Sequence, residues 1–166
     1  MGRPVQIQRV PAEVTYPLRQ QVLRPHRGID SVRFDGDDDP RTAVYASLTE
    51  DGEVVGTATA LPEPCPWRPD EPAAWRLRGM ATAEGARGLG VGTALLAAVV
   101  DHVTAAGGGL LWCKARTPAR RFYARAGFRE YGEEWVDPEI GPHVAMWLDL
   151  ERRPELRATS TGSASP

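Results

Sequence analysis

Lysine is almost missing from this chain: of its 20 Lys and Arg residues only Lys114 is lysine. We read the arginine excess as codon usage. With 22 acidic residues the formal net charge is -2, so no global basic field exists to recruit nucleic acid or an anionic membrane, and neither is expected as a partner. Cysteine is scarce as well. Cys65 and Cys113 are too few and too far apart for a disulfide framework or a four-coordinate zinc site, so both read as reduced thiols and no metal is expected. No window approaches the ~20 apolar residues of a membrane span. The first ten residues, Met1 to Val10, lack the apolar core of a secretion signal, and a cytoplasmic location is expected. What remains is ordinary for a globular protein. In 166 residues, 42% are hydrophobic and 25% charged, enough for one domain with a sizeable core.

Periodicity divides the chain into alternating elements. Val5, Ile7 and Arg9 alternate with glutamines as a first strand, and an amphipathic stretch after Pro11 reads as a helix to Leu23. The period disappears from Arg24 to Arg41, where Pro25, Gly28, Gly36 and the run Asp37–Pro40 read as a loop or short helices, with the acidic run a solvated face. Thr42–Leu48 and Val54–Ala60 form an antiparallel pair around Asp51-Gly52, a dipeptide that tolerates the positive φ of tight hairpins. Five prolines between Leu61 and Pro72 exclude helix or central strand and predict an irregular loop. A strand follows over Trp75–Thr82. Leu89, Leu96, Val99, Val100 and Val103 then fall at helical spacing up to Gly107-Gly108-Gly109. Leu110–Lys114 reads as a buried strand, so strand, helix and strand imply a parallel pair with a crossover helix. Thr117-Pro118 predicts a helix start with a capping hydroxyl, and Gly127 its stop. Strands near Phe128–Glu134 and Val144–Leu150 complete a domain over 5–151. The tail, 152–166, lacks apolar residues to bury and is expected to be disordered.

Arg87-Gly88-Leu89-Gly90-Val91-Gly92-Thr93 sits between a strand and a helix. Glycines there let backbone approach an anion, and the unpaired N–H groups of the helix start favour negative charge. The position suits a pyrophosphate. A Walker loop is excluded because Gly92-Thr93-Ala94 has no lysine. A dinucleotide fingerprint is excluded by the glycine spacing and by the missing acidic residue downstream.

The segment resembles the coenzyme A signature of the GCN5-related N-acetyltransferase (GNAT) superfamily, Gln/Arg-x-x-Gly-x-Gly/Ala, with Arg87, Gly90 and Gly92 in its fixed positions. The resemblance continues in Leu77–Thr82, similar to the family's fourth strand, in Leu111–Arg116, similar to its fifth, and in Ala119–Phe128 with its Phe-Tyr and Gly-Phe landmarks. It implies an α+β fold, a mixed sheet with helices on both faces and splayed parallel fourth and fifth strands. It also implies direct transfer of an acetyl group from acetyl-CoA, the cosubstrate, to an amine. On that resemblance the pantetheine arm lies beside Met80, Ala81 and Thr82, with Phe122 and Lys114 nearby. The diphosphate lies on Arg87, Gly88, Gly90, Val91, Gly92 and Thr93. Tyr123 matches the tyrosine that protonates the departing thiolate, and a backbone N–H near Ala81 is the expected oxyanion donor.

The sequence departs from the family in two places. Where several relatives carry a general base on the fourth strand, this chain has Arg76 and Arg78, and arginine cannot take a proton. The base is then His143, chosen because imidazole titrates near neutral pH, or Glu133 or Glu134, or a water chain. Lys114 stands where asparagine is common. By alternation Arg76 and Arg78 share one face of their strand and can form a fork for a carboxylate or phosphate, joined by Arg24 and His26; pairing with Glu63, Glu71 or loop aspartates is the alternative. Trp112, Trp135 and Trp147 are candidates for the acceptor cleft or for core. The expected partner is a small-molecule amine bearing an acidic group. A protein or peptide acceptor on an acidic groove at Asp37–Asp39 and a non-catalytic acyl-CoA-binding module are the other readings, and a homodimer is compatible with the resemblance.

Overall fold

The computed structural model describes residues 5–151; the tail expected to be disordered lies outside the described residues. Seven β-rich runs pair into one mixed sheet in the order β1-β2-β3-β4-β5-β7-β6. They are β1 (Gln6–Arg9), β2 (Ala43–Leu48), β3 (Val54–Pro62), β4 (Ala74–Thr82), β5 (Leu110–Arg116), β6 (Arg129–Asp137) and β7 (Gly141–Asp149), joined with helices α1 (Tyr16–Leu23), α2 (Val91–Ala105) and α3 (Arg120–Arg125). Of the pairings only β4 with β5 is parallel, because α2 carries the chain across the sheet between them.

That parallel pairing is short. Ala74, Trp75 and Arg76 pair with Leu110, Leu111 and Trp112, after which β4 continues to Thr82 and β5 to Arg116 apart from each other. The local cause lies in β4. Its register against β3 slips between Thr57, opposite Ala81, and Thr59, opposite Arg78, which places one extra residue in β4. Gly79 sits in this bulge with φ 64°, a conformation only glycine adopts without Cβ strain, and such a bulge bends its strand.

Helices cover both faces. On one, α2 buries Val91, Leu95, Leu96, Val99, Val100 and Val103 against the central strands. Gly56 permits the approach, since a Cβ there would stand 2.6 Å from Val91 and 2.7 Å from Leu95. Leu89, expected in this helix, precedes it and is 57% exposed; the buried position is Leu95 instead. Alternation puts Leu77, Leu111, Cys113, Val144 and Met146 in the same core.

On the other face α1 packs through Leu18 and Arg19. Arg19 has no exposed surface. Its guanidinium donates to both carboxylate oxygens of Asp37 at 2.7 and 3.1 Å, to the Val32 carbonyl at 2.9 Å and to Thr59 Oγ1 at 2.9 Å. Asp37 also accepts the Phe34 N–H at 2.9 Å. The acidic run is therefore not wholly a solvated face: Asp37 is an internal counter-ion, and Asp39 pairs with Arg41 at the surface. Two further expectations need correction. Leu61 and Pro62 finish β3, so the irregular loop starts at Glu63. Thr117 opens a short 3-10 turn before α3, and its buried hydroxyl caps nothing; Pro118 alone marks the start. Gly127, with φ 98°, ends α3 as expected.

Removing the Asp37 charge leaves Arg19 buried and uncompensated, which costs about 3–5 kcal/mol. Asp37→Asn is thus expected to lower the urea midpoint strongly with an unchanged slope, whereas Asp39→Asn at the exposed pair leaves it nearly where it was.

Candidate active site

Where β4 and β5 part, a cavity of about 700 Å³ passes between the two faces of the sheet. Its first half lies on the α2 side. Gly88 and Gly90 hold φ values of 79° and 80°, and a Cβ built on either would meet nothing within 4 Å. The turn is thus glycine for backbone conformation and leaves open space above it. Gly90 is the N-cap of α2 and no side chain caps that helix, so the first-turn N–H groups are available to an anion. Arg87 folds back to donate from Nε to the Thr82 carbonyl at 3.3 Å, placing its charge at the end of β4. Gly92 lets the Phe122 ring come near, 3.4 Å from where its Cβ would be, with the Met80 methyl at 3.7 Å. An open glycine cradle beside a strand edge without a partner fits a diphosphate followed by an extended, amide-bearing arm. The coenzyme A residues expected from sequence are thereby brought together.

Tyr123 closes the bottom of this half. Its ring packs against Phe122 and Phe128, with centroids 5.1 and 5.3 Å away. Burial, and then the neighbouring Cys113, push its pKa well above the usual 10, so the phenol keeps its proton. Burial likewise pushes the Cys113 thiol up to about 12.

The second half lies toward α1 and carries the charge. Cross-strand pairing aligns Arg116, His143 and Trp135 in one row. Nδ1 of the buried His143 is 2.8 Å from the Gly141 carbonyl oxygen. A carbonyl can only accept, so the proton sits on Nδ1 and Nε2 carries the free lone pair. The Trp135 ring stacks on the imidazole at 5.6 Å and 21°. Asp137 is the sole carboxylate on the cavity wall, beside Arg24, Arg76, Arg78, Arg87, Lys114 and Arg116. The Glu139 and Ile140 N–H groups of the turn that follows it hold its carboxyl below the usual range, with His143 and Arg24 adding to this.

The expected fork is only half free. Arg76 and Arg78 share a face, but Arg76 pairs with Glu63 at 3.1 Å and lies over the Trp112 ring. Arg78 makes no ion pair among the described residues; burial and the Arg76 charge lower its pKa. Arg24 lines the cavity next to Arg116, whose Nη2 donates to the Leu23 carbonyl at 2.8 Å. Burial, then Arg24, lower the Arg116 pKa. His26 is exposed and off the cavity wall, as are Glu133 and Glu134, and Glu134 pairs with Arg120. Of the side chains weighed as base, His143 alone lines the cavity. Trp135 borders it too, whereas Trp112 lies in a separate small core, its Nε1 donating to the Glu63 carbonyl, and Trp147 packs on Arg68 and Arg129. Sequence reading missed Arg116, Phe34 and Asp137. Arg116 was accessible to it, two residues after Lys114 on the same strand face; Phe34 gave no periodic signal.

The sequence profile of the acetyltransferase (GNAT) family matches residues 11–128. The uncharacterized N-acetyltransferase YitI of Bacillus subtilis (strain 168) is 32% identical over 146 residues, covering 88% of this chain and 97% of that protein. A solved Lactobacillus plantarum protein described as a candidate N-acetyltransferase superposes with a TM-score of 0.71 at 25% identity, over 89% of this chain and 99% of the other. An aminoglycoside 6'-N-acetyltransferase solved with coenzyme A shares the fold at TM-score 0.65 and 16% identity, over 90% and 99% of the two chains.

The cysteines give a direct check on the closed inner wall. With a pKa of about 12, about one Cys113 thiol in ten thousand is ionised at pH 8, and Cys65 is buried too. Ellman's reagent is expected to find almost no thiol within minutes in the folded protein and both once it is denatured.

Proposed function

This chain belongs to the acetyltransferase (GNAT) family, and we propose that it moves the acetyl group of acetyl-CoA directly to the amine of a small molecule that bears an acidic group. The observation that carries this reading is the α1 side of the cavity, where Arg24, Arg78 and Arg116 line the wall and Asp137 is the only carboxylate among the described residues. Half-buried guanidinium groups in excess over carboxylates bind a carboxylate or phosphate strongly, because little hydration remains to be lost on either side.

When bound, acetyl-CoA supplies an activated thioester, its phosphates suited to the cradle of Arg87, Gly88, Gly90, Val91, Gly92 and Thr93 and its arm to β4 at Met80–Thr82. The residues of the chain do the rest. Nε2 of His143, fixed as an acceptor by the Gly141 carbonyl, takes a proton from the acceptor ammonium and leaves a free amine. A backbone N–H near Ala81 stabilises the charge that develops on the carbonyl oxygen. As the nitrogen bonds to the carbonyl carbon and the C–S bond breaks, Tyr123 Oη, kept protonated by burial, donates to the leaving sulfur and is reprotonated by the proton that the acetylated nitrogen gives up. Trp135 excludes water from one side of His143. The guanidinium groups orient the acceptor, so that binding energy goes into alignment. A peptide acceptor on an acidic groove finds less support, since Asp37 and Asp39 are both bound to arginines.

Free-thiol release tests the reading, with a pool of L-amino acids and phosphoethanolamine set against the matching carboxamides and ethanolamine. The acidic amines are expected to be turned over in preference. Tyr123→Phe is expected to lower kcat about a hundredfold or more at unchanged acetyl-CoA affinity, and His143→Gln to lower kcat/KM. Because burial raises the Tyr123 pKa above 10, the wild-type rate should not fall on the alkaline side below pH 10. Coenzyme A binding with no release from any amine, and indifference to Tyr123→Phe, would instead identify a non-catalytic binding module.

A further inference from the structure

Phe34 lines the cavity, yet it has no group that can bind or transfer a proton, and it stands in the aperiodic segment between α1 and β2. Two guanidinium groups lie over its ring: the Arg78 carbon is 4.2 Å from the centroid and the Arg19 carbon 4.4 Å. Their situations differ. Arg19 is pinned by Asp37, Val32 and Thr59. Arg78 has no ion pair among the described residues, and its Nε is buried without a hydrogen-bond partner. A cation in that position draws its support from the ring face, whose quadrupole attracts it and leaves the outer N–H groups free.

The ring is itself fixed. The Phe34 N–H donates to Asp37, which holds Arg19, which donates to Thr59 on β3. Gly79 leaves room for the ring: a Cβ there would stand 3.1 Å from it. The Phe34 backbone is thus tied to Thr59 on β3, the cross-strand partner of Arg78, and its ring packs on Gly79 of β4. An aliphatic residue would fill the volume but would present no negative face.

We propose that Phe34 is the positioning residue for acceptor choice: its ring face holds the Arg78 guanidinium toward the acceptor's acidic group, and the Arg19–Asp37 pair holds the ring. This rests on the acidic-acceptor reading. It adds that the discrimination depends on an uncharged aromatic contributed by the segment between α1 and β2.

The test measures kcat and KM for the acidic amine turned over fastest in the pool above and for its neutral counterpart, with thermal melting in parallel. Phe34→Leu is expected to raise KM for the acidic amine about three- to tenfold, at unchanged kcat and unchanged KM for acetyl-CoA, and to leave the neutral amine as it was. Phe34→Tyr, which keeps the ring face, should restore KM. Added to Arg78→Gln, Phe34→Leu should have no further effect, since both changes act through one guanidinium. If Phe34→Leu weakens both amines equally, or weakens neither, the ring is packing only and the inference is overturned while the acidic-acceptor reading stands. If Arg78→Gln, Arg24→Gln and Arg116→Gln each leave the preference for acidic amines intact, that reading fails and takes this inference with it.

Discussion

One extra residue in β4 sets the geometry on which the site depends. With Gly79 in a left-handed conformation opposite β3, β4 turns away from β5 only three residues into their pairing. Had the ladder continued to Thr82, the backbone groups of both strands would be consumed and the sheet would be closed. Instead the edges part, and a channel opens through a layer that is otherwise continuous from β1 to β6. A strand edge in a sheet centre is normally the most thoroughly bonded place in a fold. Here the unpaired groups are kept, and an extended amide-bearing ligand is the natural substitute for the missing strand. Loss of ladder hydrogen bonds is tolerated because α2 and α3 on one face, and α1 with the following segment on the other, hold the two halves together.

The parting also sorts the chemistry by face. Glycines and helix N–H groups, which recognise phosphate through backbone and carry no large side chains, all lie toward α2. Arg24, Arg78, Arg116, the imidazole and Trp135 lie toward α1. The division follows from alternation: in β5, Cys113 and Ala115 enter the α2-side core while Lys114 and Arg116 point the other way, and in β7 Val144 is core while His143 is not. Two ligands of different chemistry can therefore approach from opposite faces and meet in the gap, beside Tyr123 and His143. Neither polar set disturbs the apolar core, because the sheet itself separates them.

Much of this was legible in the sequence because it rests on local rules. Seven strands, the crossover helix and the glycine turn follow from periodicity and from residues with special backbone preferences; Tyr123, chosen by the family resemblance, and His143, chosen for its imidazole, both line the cavity. What was not legible depends on contacts between distant segments. Asp37 looks like part of a hydrated acidic run until Arg19 is found beneath it. Arg76 and Arg78 are indistinguishable by alternation, yet Glu63, from the proline-rich loop, occupies one and leaves the other. Phe34 has no periodic neighbours, so nothing in its own stretch of chain announces that it faces the cavity. Thr117 illustrates the opposite error: a favourable local motif was overruled because the chain enters α3 through a tight 3-10 turn, with no free N–H aligned to its hydroxyl.

The buried Arg19–Asp37 pair is hard to explain by stability alone. Replacing such a pair by apolar residues of equal volume is commonly neutral or better, since two charges must be taken out of water. An apolar pair could join α1 to the sheet, but it could not also accept the Phe34 N–H, donate to the Val32 carbonyl and reach Thr59 on β3. Those bonds give a segment whose only regular structure is the 3-10 turn Ile29–Val32 one defined position over the cavity. The planar guanidinium adds a flat surface against the Phe34 ring. The pair thus does for the segment between α1 and β2 what hydrogen-bond ladders do for the strands. Its cost in desolvation is set against the order it confers on the α1 side of the cavity, where an irregular segment would otherwise leave Arg78 without a surface to lie on.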